Sequence, residues 1–130
     1  MGCDVVSIDR LAEVLERRDG FSSRVFTDRE LDDARRGGID PGSPIECSRL
    51  AARFAAKEAA RKALGDLRLP FHDTEVRTCP DGAPELWIRG ERSDLSVSLS
   101  HDGGIAMAVV IGPPTIDLID TEGASHAARR

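Results

Sequence analysis

Apolar positions follow two different periods along this chain, and the change falls near Pro70. Gly2 to Ser7 is a short apolar run interrupted by Asp4, which predicts a strand. Leu11, Val14 and Leu15 then recur at helical spacing, so a helix is expected from about Ile8 to Arg18, stopped by Asp19-Gly20. Thr27 followed by Glu30 is a capping-box pattern, and it opens a short helix that should end at Gly37-Gly38. Ser43-Pro44-Ile45-Glu46 sets a cap residue, a first-turn proline and an acidic third position in order. It predicts the longest helix, running to about Leu64 and Gly65.

Beyond Pro70 the period becomes two. Thr74 to Cys79, Glu85 to Arg89, Leu95 to Ser100 and Ile105 to Ile111 read as strands. Pro80-Asp81-Gly82 and Asp102-Gly103-Gly104 are turn sequences, so each flanking pair should form an antiparallel hairpin. Helices first and strands afterwards predict an α+β fold, with helices packed on a mainly antiparallel sheet. One domain is expected over residues 1–112. A polar tail, relieved only by Ile116, Leu118 and Ile119, is expected over 113–130.

Composition narrows the classes. The chain has 130 residues and a formal charge of −5, with 4% aromatic residues. The core must therefore rest on Leu, Ile, Val and Ala, a thin basis for a monomer and one that favours association. No apolar run is long enough for a membrane span, and no basic-then-apolar leader follows Met1. Three cysteines, Cys3, Cys47 and Cys79, lack metal-ligand or redox spacing and read as reduced thiols, so a cytoplasmic location is expected. An acidic balance with sparse aromatics argues against a nucleic-acid partner.

Two positions break the apolar pattern. On the long helix Leu50, Phe54, Glu58 and Lys62 share one stripe, so an apolar face becomes ionised halfway. Either Glu58 and Lys62 form an exposed i,i+4 ion pair, or Glu58 faces a site where a carboxylate holds a metal while Arg53, Lys57 and Lys62 meet an anion. Asp4 sits where β propensity and burial both oppose it, unless the strand begins only at Val5. Two converging carboxylates would suit Mg²⁺, which takes one or two protein carboxylates and lets water and phosphates complete its shell. Elsewhere, His101 ends a run of alternating serines, and Arg10, Val14, Arg17 and Arg18 share a face of the first helix. That face is either solvated or a docking surface for an acidic helix.

Four segments in this order resemble the holo-(acyl carrier protein) synthase group of 4′-phosphopantetheinyl transferases. They are Gly2-Cys3-Asp4-Val5-Val6-Ser7-Ile8-Asp9-Arg10-Leu11, Arg24-Val25-Phe26-Thr27-Asp28-Arg29-Glu30-Leu31, Arg53-Phe54-Ala55-Ala56-Lys57-Glu58-Ala59 continuing to Lys62-Ala63-Leu64-Gly65, and Val97-Ser98-Leu99-Ser100-His101 with the strand after it. The resemblance implies transfer of 4′-phosphopantetheine from coenzyme A to a serine of an apo acyl carrier protein. It implies Asp4 and Glu58 as Mg²⁺ ligands and Lys62 as a catalytic cation. Arg53, Lys57, Lys62, Gly65, Pro84, Ser100 and His101 become coenzyme A contacts, and Arg10, Val14, Arg17, Phe21 and Arg24 the carrier-docking surface. It further implies a homotrimer with coenzyme A sites between subunits. Asp66-Leu67 stands where the group usually has a small residue and a glycine, which sets a like charge near phosphates. The competing reading is a non-catalytic carrier or coenzyme A binding module of the same fold.

Overall fold

The structure is a computed structural model that describes residues 1–113. Its elements run β1 Gly2–Ser7, α1 Ile8–Arg17, α2 Phe21–Val25, α3 Asp28–Ala34 and α4 Pro44–Leu64. A single 3₁₀ turn, Phe71–Asp73, follows, then β2 Thr74–Thr78, β3 Pro84–Ile88, β4 Glu91–Arg92, β5 Ser96–Asp102 and β6 Ile105–Ile111. The expected tail lies, beyond Pro113, outside the described residues. Among those described, no helix is long and apolar enough to cross a membrane.

The α+β expectation holds, with one change: the strands form two three-stranded antiparallel sheets, ordered β1-β6-β5 and β2-β3-β4. The added strand β4 follows a two-residue turn at Arg89-Gly90, both at positive φ (50° and 82°). Arginine in place of the usual Asn or Asp at the first turn position left no hairpin signal there. A second addition is α2, since Gly20 at φ 82° redirects the chain into another helical turn and not into a loop.

α4 is the central element. Ser43 Oγ accepts from the Glu46 N–H, Pro44 occupies the first turn, and Gly65 ends the helix in the left-handed conformation. The Glu46 carboxylate reaches one residue further than a capping box would, accepting from the Gly42 N–H at 2.7 Å and pairing with Arg35. Ala51, Ala52, Ala55, Ala56, Ala59 and Ala60 are all buried on α4, so strands and helices close around it at short range. The tightest approach is at β1: a Cβ built on Gly2 would stand 2.2 Å from the Ala59 carbonyl oxygen. Inward positions of β6, Ala106, Ala108 and Val110, complete the core over α4.

The opposite face of the β1-β6-β5 sheet is open. Val5, Ile105, Met107 and Ile111 are each 44–58% exposed there, beside the exposed serines 96, 98 and 100. Ordinary small proteins keep such apolar groups scattered; here they are cross-strand neighbours, with Val5 opposite Met107.

Candidate active site

The register of β1 against α4 brings the two anomalous carboxylates to one end of the central helix. Because Gly2 fits against Ala59 and Ala63, Asp4 is carried alongside the last turns of α4. Lys62 Nζ donates to Asp4 Oδ1 at 3.1 Å and to the Cys3 carbonyl at 3.1 Å. Glu58 lies one turn before Lys62 on the same stripe, and it pairs with Arg61 at 2.9 Å and not with Lys62. The i,i+4 ion pair is thus replaced by two other pairs, Asp4–Lys62 and Glu58–Arg61, each partly open to solvent.

This donor set has a definite chemistry. Among the described residues no three His, Cys, Asp or Glu side chains gather around a common point. Two carboxylates with two adjustable cations suit a hard divalent ion that fills its remaining positions with water and phosphate oxygens.

A second set of predicted residues sits at the other edge of the same sheet. Arg53 and Pro84 line a cavity of about 290 Å³ with Thr78, Val97 and Ser98. The Arg53 guanidinium is nearly buried; it donates to Thr78 Oγ1 and the Arg49 carbonyl at 3.1 Å each, and its Nε has no partner. Burial pushes its pKa down, yet a guanidinium stays charged throughout the working range of a protein. His101 lines a neighbouring depression of about 300 Å³ with Pro44, Ile45, Ser48 and Arg49. Ser100 stands on the open sheet face. Since β6 separates β1 from β5, one copy of the chain keeps Asp4 and Lys62 by one edge and Arg53, Pro84, Ser100 and His101 by the other.

Lys57 requires a correction. Expected to meet phosphate, its side chain is fully buried and its ammonium is spent on protein: Glu30 Oε1 at 2.8 Å, the Phe71 carbonyl at 2.8 Å and the Thr74 carbonyl. A lysine has three donors, and all three are engaged. Adjacent helical residues differ by about 100°, so Lys57 turns away from Glu58. It lies instead on the stripe Arg53–Lys57–Arg61, where each cation captures a group of the antiparallel segment 67–78.

Glu30 was legible only as a helix cap. Its Oε1 accepts from the Thr27 N–H as expected, while Oε2 accepts from the Val76 N–H at 2.8 Å and Oε1 also faces Lys57. Burial raises its pKa against the opposing pull of Lys57. Asp66, expected to stand near phosphates, directs Oδ1 to the Arg68 N–H at 3.0 Å.

Residues 1–110 match the family profile of the 4′-phosphopantetheinyl transferase superfamily. This chain belongs to that superfamily. A holo-[acyl-carrier-protein] synthase of Frankia alni is 44% identical over 121 residues, covering 85% of this chain and 93% of the relative. One from Geobacillus kaustophilus is 39% identical, with 88% and 92% covered. The crystal structure of the Helicobacter pylori synthase in complex with coenzyme A superposes with a TM-score of 0.68 at 30% identity, covering 85% of this chain and 96% of that one. As a phosphopantetheinyl transferase, the chain sets Glu58 and Lys62 on the solvent side of α4 and Lys57 on its buried side.

The residues expected to dock a carrier protein fall on α1 and α2. Arg10, Arg17 and Arg24 are exposed and make no ion pair among the described residues. Val14 is half-buried, and Phe21 packs its ring 6.2 Å from that of Phe54.

Proposed function

We propose that this chain is a holo-(acyl carrier protein) synthase: it transfers 4′-phosphopantetheine from coenzyme A to a serine of an apo acyl carrier protein, with Mg²⁺, releasing adenosine 3′,5′-bisphosphate. The observation that supports this reading is the Asp4–Lys62 pair where β1 passes the end of α4, with Glu58 one turn earlier on the same stripe of the helix. The serine oxygen forms a bond to the β-phosphorus of coenzyme A as the bond to the adenosine-side oxygen breaks. Asp4 and Glu58 would hold Mg²⁺, which when bound offsets charge on the diphosphate and on the leaving group. Lys62, half exposed and tethered to Asp4 by one bond, turns to the phosphate oxygens when they arrive. Glu58, directly or through a water, is the candidate to take the proton of the serine.

The second half of the coenzyme A site comes from a neighbouring copy. Arg53, Pro84, Ser100 and His101 meet the adenosine 3′-phosphate end, while Gly65 lies by the diphosphate of the first copy. A closed ring of three subunits joins one copy's β1 edge to the next copy's β5 edge and covers the apolar sheet face. The exposure of Val5, Met107 and Ile111 supports this, as does the division of site residues between two edges. Arg10, Val14, Arg17, Phe21 and Arg24 dock an acidic carrier helix, whose charge sets orientation and encounter rate. The reaction is placed in the cytoplasm, in accord with free thiols at Cys3, Cys47 and Cys79.

The deciding experiment is the intact mass of an apo acyl carrier protein after incubation with this chain, coenzyme A and Mg²⁺. A gain of about 340 Da that is lost with chelator or with Glu58→Ala is expected. A folded protein that binds coenzyme A yet modifies no carrier would overturn the transferase reading in favour of a binding module.

A further inference from the structure

Arg61 was not among the site residues read from the sequence, yet three different groups around the site converge on it. Nη1 donates to Glu58 Oε1 at 2.9 Å, Nη2 donates to the Leu67 carbonyl, and Cζ lies 4.4 Å from the centroid of the Phe71 ring. The Arg61 carbonyl also accepts from the Asp66 N–H at 3.0 Å. The segment that follows Gly65 is therefore tied to Glu58 through one residue. Arg61 Nε is buried without a partner, so the fork and the ring stack hold the guanidinium in this pose even with one donor unpaired.

We infer that Arg61 is a positioning residue that couples the Glu58 carboxylate to the backbone after Gly65. It fixes Glu58 while no divalent ion is bound, and it clamps Leu67 at the coenzyme A end of the site. This rests on the assignment of Asp4 and Glu58 to the metal and of Gly65 to coenzyme A made above.

Two consequences of opposite sign follow. A guanidinium on Glu58 competes with an incoming divalent ion, so removing it strengthens metal binding in the absence of coenzyme A. The same side chain pre-orders residues 65–69, so removing it weakens coenzyme A. A residue that served only the stability of the fold would shift both affinities the same way or leave both alone.

The test titrates Mn²⁺, followed by electron paramagnetic resonance, into the full-length protein, Arg61→Met, Arg61→Lys and Glu58→Ala without coenzyme A. Steady-state kinetics with coenzyme A and an apo carrier protein accompany it. Arg61→Met should bind Mn²⁺ about threefold more tightly, the size expected for losing one partly exposed competing ion pair. Its KM for coenzyme A should rise about tenfold with kcat held within about twofold. Arg61→Lys should return Mn²⁺ affinity to that of the parent and keep the raised KM, because an ammonium cannot span Glu58 and Leu67 while stacking on Phe71. Unchanged or weaker Mn²⁺ binding in Arg61→Met, or an unchanged KM in either variant, overturns the inference. Should Arg61→Met not fold, Arg61→Lys decides alone: a raised KM sustains the coupling and an unchanged one removes it. Parent-like Mn²⁺ binding by Glu58→Ala would instead overturn the metal assignment on which the inference stands.

Discussion

Lys57 Nζ lies 2.8 Å from Glu30 Oε1 with neither side chain exposed to solvent, and the pair joins α3 and α4 to the start of β2. Glu30 holds the Thr27 and Val76 N–H groups, while Lys57 holds the Phe71 and Thr74 carbonyls. Lys57→Met removes one charge and strands the other, and takes a donor from the Thr74 carbonyl, while the Phe71 carbonyl still accepts from Thr74. It should lower unfolding free energy by about 3–5 kcal/mol, the range for breaking a buried pair from one side. Urea denaturation checks this; a loss comparable to that of a surface ion pair would contradict the role given to Lys57.

The pair also sets a pH dependence. Burial holds the Glu30 carboxyl above its usual 4.5 and the Lys57 ammonium below its usual 10.5. A carboxyl raised on folding contributes stability that is complete below 4.5 and is lost as pH climbs through the folded value. The lowered ammonium contributes stability that is complete above 10.5 and is lost as pH falls through its folded value. Glu30→Gln removes the first of these. Its destabilisation relative to the parent should therefore be largest in acid, where the carboxyl is protonated in both states, and shrink as pH rises above 4.5 and through the raised folded value, measured as unfolding free energy. A penalty that grows as pH rises above 4.5 would reverse the assigned sign.

Gly2 has no room for a side chain. In Gly2→Ala the added carbon would stand 2.2 Å from the Ala59 carbonyl oxygen and 2.8 Å from the Ala63 nitrogen, so β1 must move off α4. Overpacking of this kind costs about 1–3 kcal/mol, and the displaced strand takes Asp4 with it. Weaker Mn²⁺ binding should accompany the lower melting temperature. Unaltered metal affinity in a destabilised variant would mean that Asp4 is not held by this contact.

Met107 faces outward, opposite Val5, on the open sheet. An aspartate there would be desolvated by any neighbouring copy. On the proposed ring of three, Met107→Asp should leave a monomer by light scattering and lower carrier modification about tenfold or more, because the proposal draws half of each coenzyme A site from a neighbouring copy. A monomeric variant with full activity would show that one copy suffices.

Much of this architecture is legible from periodicity. The capping signals at Thr27 and Ser43 and the alternation after Pro70 mark elements that local chemistry specifies. Asp4 and Glu58 stood out because ionised groups interrupt apolar patterns. Lys57 stands next to Glu58 in the sequence, which suggests a shared site, whereas the helical angle between them separates their faces; the spacing of Arg53, Lys57 and Arg61 is the available sign of an inward cationic stripe. Glu30 gave no indication of its second role, since a cap glutamate and a core glutamate look alike until β2 is seen to pass beside α3. The division into two sheets was hidden for a similar reason: strand pairing is a long-range outcome that alternation alone does not encode.

The buried alanines of α4 bear on how such a protein can change. A helix walled by Ala51, Ala52, Ala55, Ala56, Ala59 and Ala60 has no slack in which a larger side chain could settle without shifting β1 or β6. Altered preference for carriers or acyl-bearing forms of coenzyme A is therefore closed to evolution and to the engineer along the helix interior. On the proposed docking and coenzyme A assignments, it has to arise at the rim, in the residues of α1 and α2 and in the segment after Gly65, where substitutions leave the central scaffold undisturbed.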